Sequence, residues 1–160
     1  MTSTPVEDTL RRVLLALTAA SAVGTVIELA LLEHFEDAWQ WAPFVLCGLV
    51  LAAVAAVWLR PDRRSILALR SVMGLAVLGS AVGAVLHLQG NWDLVAETQP
   101  DAAGAHALWE TIHGGNPALA SFILALMAAM ATAATYRHPA LGRGADGRAL
   151  PVTDRPPPAG

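Results

Sequence analysis

Four stretches of this chain, roughly residues 13–32, 43–59, 71–89 and 117–136, run almost without charge. Each is close to the ~20 residues a helix needs to cross the hydrocarbon core of a bilayer. Soluble domains carry roughly a quarter charged residues, whereas here 14% are charged and 55% hydrophobic. The expected architecture is therefore all-α: a four-transmembrane-helix bundle over residues 10–136, preceded by a short leader (1–9) and followed by a tail (137–160). Its first partner is the lipid bilayer.

The ends of these runs carry their own punctuation. Thr4-Pro5-Val6-Glu7 has the spacing of a capping box with proline at the first helical position, so the first helix should start ahead of the membrane. Pro43 opens the second run and Arg60-Pro61 closes it. Gly90-Asn91 is expected to end the third, and Asn116-Pro117 to open the fourth. Arg11-Arg12, the Leu/Ala-rich core and Ala20-Ser21-Ala22 also resemble a secretory signal with a cleavage site. Against that, Glu7 and Asp8 make the leader acidic, and the apolar run continues about ten residues past the cut. The first helix is expected to be retained.

All ten basic residues are arginines, at 11, 12, 60, 63, 64, 70, 137, 143, 148 and 155. They fall in the leader, the loop between spans two and three, and the tail. The other two loops, about 33–42 and 90–116, have none. By the positive-inside rule, both termini and the arginine loop lie on the cytoplasmic side of what would be a bacterial inner membrane. The Gly/Pro/Arg-rich tail reads as disordered, with a weak attraction to anionic lipid.

The residues able to do chemistry gather on the opposite, outer side. His34, His87, His106 and His113 map there, with eight carboxylates (Glu28, Glu33, Glu36, Asp37, Asp93, Glu97, Asp101 and Glu110) and four tryptophans (Trp39, Trp41, Trp92 and Trp109). With no arginine on that side, water, protons, histidine, a metal ion or a partner must neutralise the acids. The tryptophans fit an interfacial belt. Glu28 lies about one turn inside the outer end of span one, where a carboxylate costs a few kcal/mol. His87 lies at the matching depth in span three, and Asn91, four residues on, shares its face. A Glu28–His87 pair facing the interior is the expectation, either fixing helix register or forming a cofactor site with His34 and Asn91.

In the long outer loop, Pro100-Asp101 to Gly114-Gly115 reads as a short interfacial helix with a glycine stop. On it His106, Glu110 and His113 stand at i, i+4 and i+7, beside an apolar face of Ala105, Leu108, Trp109 and Ile112. Two imidazoles and a carboxylate suit Zn²⁺ or non-haem iron, and with His87 and Glu28 they make the candidate metal set. A plain amphipathic helix with its polar stripe in water explains the same spacing. Glu110-x-x-His113 resembles half of a di-iron bundle motif, but the second half is missing. With His34 closing over the mouth, the same set also suits a b-type haem or a quinol losing protons.

Gly79-x-x-x-Gly83 in span three is a small-residue seam that lets helices approach, within the chain or in a homo-oligomer. The single cysteine, Cys47, can form no internal disulfide. There is no phosphate-binding glycine loop, Ser-His-Asp pattern, CxxC or haem c motif, and no nucleic-acid partner is expected. Spans two and four carry no charge at mid-membrane depth, which disfavours a transporter of charged solutes. Two readings remain: an outer-face metal or cofactor site in a redox or metal-handling context, or an accessory subunit of a larger membrane complex.

Overall fold

The computed structural model describes residues 4–114 and 118–142, and among these every regular element is helical. Helix α1 (Pro5–Leu31) starts at the anticipated capping box. The Glu7 amide donates to Thr4 Oγ1 at 3.3 Å and the Thr4 amide to Glu7 Oε2 at 2.9 Å, satisfying two donors at the helix start. A 3₁₀ turn, Ala38–Trp41, leads into α2 (Ala42–Leu59), with proline in its first turn. Asp62 caps α3 (Arg63–Thr98), its Oδ1 accepting from the Ser65 amide at 2.8 Å. Helix α4 (Gly104–Ile112) follows, then a 3₁₀ turn (Ala118–Ser121), α5 (Phe122–Ala134) and a last 3₁₀ turn (Pro139–Gly142).

Three helical stretches, Pro5–Leu31, Ala38–Leu59 and Arg63–Thr98, are long and apolar enough to cross a membrane; α5, at 13 residues, is a shorter apolar helix. Asn116-Pro117 and Gly115 lie outside the described residues, as does the tail from residue 143. The segment before that tail is not loose: Ala140 is buried against the core.

Helix α3 departs from its expected end. It runs 36 residues, roughly 54 Å at 1.5 Å per residue, straight through Gly90-Asn91. Glycine is only a weak helix breaker when its surroundings hold the helix. Here they do, because Asn91 and Val95 are buried and α4 packs along this outer extension. The extra turns give α4 a platform on α3.

Helix α1 packs against α2 and α5, and α3 packs against the same two. Their shared core holds Ala22 of α1, Val50 and Cys47 of α2, Ile66, Leu69 and Met73 of α3, and Met127 and Ala131 of α5. Outside it, large apolar side chains such as Ile27, Val45, Leu78 and Leu126 are exposed on all four helices. In water so much bare apolar surface would drive association; in lipid it is the natural outer coat. The glycine seam is occupied within the chain: Gly79 receives Leu46 of α2, and Gly83 receives Ser121 ahead of α5.

The starts of α1 and α3 meet the end of α5. Arg70 donates through Nη2 to the Thr135 carbonyl at 2.8 Å and through Nε to Thr135 Oγ1 at 3.3 Å. Arg11 Nη2 reaches the Tyr136 carbonyl at 3.4 Å. Both cations therefore sit at a helix C-terminus, where orphan carbonyls and the helix dipole favour positive charge.

Candidate functional site

At the opposite end, the way α1 stops decides where His34 goes. The His34 amide donates to the Leu29 carbonyl at 2.9 Å and the Glu33 amide to that of Ala30 at 3.2 Å. This is the paired bonding of a Schellman ending. Such an ending needs a left-handed residue, and Glu33 supplies it at φ 52° where glycine is usual. The reversal sets His34, half-buried, beside His87 of α3. Their ring centroids are 6.4 Å apart, with 30° between the planes.

Glu28 is exposed on α1, and no hydrogen bond joins it to His87 among the described residues. The ring that stands next to His87 is that of His34. Spacing along one helix could not foresee this, because it depends on the sign of one backbone angle at Glu33.

Asn91 is fully buried, and its Nδ2 donates to the Thr111 carbonyl at 3.0 Å. That carbonyl lies in the last turn of α4, one of the groups a helix end leaves without an internal partner. Gly114 lies so close that a Cβ there would stand 2.6 Å from Asn91 Cγ. Asn91 thus tethers the end of α4 to α3, a bond that the expectation of a cofactor contact did not anticipate. The signal available was a lone amide in an otherwise apolar helix, facing a glycine-ended loop.

The α4 stripe is present but spread out. His106 is exposed and Glu110 half-buried. His113 falls one residue past the helix and folds back: Nδ1 lies 3.0 Å from the Trp109 carbonyl, and its ring stacks on Trp109 at 3.8 Å. Among the described residues, no three His, Cys, Asp or Glu side chains converge to hold a metal ion. Nor do the carboxylates of this end form ion pairs there; the described residues hold one, Arg11 with Asp8 at the far end. The histidine end is an acidic surface on which His34 and His87 stand as a close pair of ligand-type side chains.

The chain matches no family model, no curated protein and no solved structure. What it does must be argued from this geometry.

Proposed function

We propose that the chain is a four-span membrane protein whose outer end holds an imidazole-preferring divalent ion, Zn²⁺ or a neighbour of it, between His34 and His87. The fourth span is the 3₁₀ turn with α5. At ~2.0 Å per residue for its four residues and 1.5 Å for the next thirteen, it reaches roughly 27 Å, close to the hydrocarbon thickness. The arginine distribution supports placing the termini on the cytoplasmic side.

The His34–His87 spacing carries the ligand reading. Two imidazole nitrogens about 2.0–2.1 Å from one ion at the tetrahedral angle, with about 1.1 Å from each nitrogen to its ring centre, put the centroids roughly 5 Å apart. The observed separation is 6.4 Å, so the two rings would draw together by about 1.4 Å to share the ion. Two protein ligands leave the remaining positions to water or to a delivered group, as suits a site that passes an ion on rather than one that stores it. The eight carboxylates that the sequence assigns to this side, with no arginine beside them, raise the local concentration of cations.

The test is metal stoichiometry on the purified full chain, with Zn²⁺ titrated calorimetrically. Near one ion per chain is expected, lost in His34→Ala and in His87→Ala but kept in His106→Ala and His113→Ala. No binding, or binding lost only in the α4 variants, would remove this reading.

A second reading, an accessory subunit, is favoured by α4 alone. Docked on α3 through Ala107 and Thr111, it leaves Leu108, Trp109 and Ile112 exposed. That apolar face suits either the membrane interface or a larger membrane partner.

A further inference from the structure

The arginine end contains a cavity of about 410 Å³ between the start of α1, the end of α2 and the end of α5. We infer that this cavity is a binding site for a phosphate group, independent of anything at the histidine end. Two guanidiniums, Arg11 and Arg12, line it against one carboxylate, Asp8, so its polar wall carries an excess of positive charge. Arg11 is drawn inward, its side chain only 16% exposed. One nitrogen, Nη2, is used on the Tyr136 carbonyl. The other, Nη1, is shielded and makes no hydrogen bond among the described residues; Asp8 Oδ1 stands off at 3.5 Å. A charge-assisted N–H···O bond closes to about 2.7–2.9 Å, so this donor is under-used.

A shielded guanidinium N–H that makes no hydrogen bond is costly even with a carboxylate 3.5 Å away. The planar fork of arginine matches the paired oxygens of a phosphate better than any other side chain does. The rest of the wall says where the phosphate would come from. Leu15 and Val57 are buried core residues at the first membrane turns, and Trp58 is half-exposed at the level where interfacial tryptophans sit. A phosphate at Arg11 and Arg12 with an apolar tail along that wall is the geometry of an anionic phospholipid headgroup. A free phosphate ester shares the first half of that chemistry and lacks the second.

The experiment uses the full chain in lipid nanodiscs, with retained lipid counted by native mass spectrometry. Phosphatidylglycerol should be retained over phosphatidylcholine in the wild type, and retention should fall about tenfold in Arg12→Gln. Arg12 is exposed and makes no described bond, so that variant should fold normally. Arg11→Gln should fall as far, with thermal unfolding measured beside it because Arg11 also caps α5. Arg63→Gln with Arg64→Gln removes two arginines outside the cavity and should leave retention unchanged. Equal loss in that double variant, or equal retention of the zwitterionic lipid, would overturn the site by showing only diffuse attraction. In a parallel arm, inorganic phosphate and glycerol 3-phosphate are titrated against thermal stability. If they protect the wild type and not Arg12→Gln without any lipid preference, the phosphate site stands and its ligand is soluble. If neither lipid nor phosphate responds to Arg12, there is no phosphate site.

Discussion

The two ends of this molecule use their polar residues in opposite ways. At the arginine end, charge is tied into the backbone: Arg70 and Arg11 close the end of α5, and Asp62 opens α3. At the histidine end, acids and imidazoles outnumber the bonds they make. One buried amide, Asn91, does most of the fastening, and the histidine pair makes no hydrogen bond through its rings among the described residues. Counting charges therefore does not reveal which end is built to hold itself and which is free to hold something else. The partners of each group do.

If the arginine end is structural, Arg70→Met should produce the largest loss. It removes two bonds to Thr135 and leaves the α5 terminus open, so about 2–3 kcal/mol of stability should disappear in thermal or denaturant unfolding in detergent. A loss no larger than that from an exposed arginine such as Arg64 would erase the contrast.

Asn91→Ala is the matching cut at the other end, expected at about 1–2 kcal/mol because it strands a buried carbonyl. Its signature should be local: faster hydrogen exchange in α4 with the helix core unchanged. Protection lost evenly across the chain would mean that α4 is not a separately docked element.

A smaller change of opposite sign is expected at Glu33. Glycine takes a positive φ without strain, so Glu33→Gly should stabilise by about 0.5–1 kcal/mol. Glu33→Val should destabilise and should also weaken Zn²⁺ binding, since it disturbs the turn that positions His34.

The smallest effect concerns pH. The Ser65 amide holds the Asp62 carboxyl below the ordinary aspartate range. A lowered folded value means the cap's contribution is complete above the unfolded aspartate range and is lost as pH falls through the folded value. An acid titration of stability should therefore have a shallow low-pH limb that Asp62→Asn flattens.

Much of the fold was legible because it follows from local rules. The capping box at Thr4, the apolar runs and Pro43 act within a turn or two of themselves, and α1 and α2 begin where those signals stand. The end of α3 was not legible, because what keeps Gly90 helical is α4, twenty residues away, packing on Asn91. The site was legible only in outline. Composition pointed to the histidine end, and two of its candidates, His34 and His87, stand side by side there. Their pairing rests on a left-handed glutamate that no propensity announces. The helical spacing of His106, Glu110 and His113 was real, but the helix stops one residue short of His113, and its ring turns back onto Trp109.

The central claim is that these two unlike ends face opposite sides of a membrane, histidines out and arginines in. Cysteine labelling in intact cells tests it most directly. In a Cys47→Ala background, single cysteines are placed at Asp101→Cys, exposed beside α4, and at Gly142→Cys, where the structure leaves open space for a side chain. A membrane-impermeant thiol reagent should label position 101 in intact cells and position 142 only after permeabilisation. Labelling of both positions in intact cells, or of 142 alone, would contradict the account.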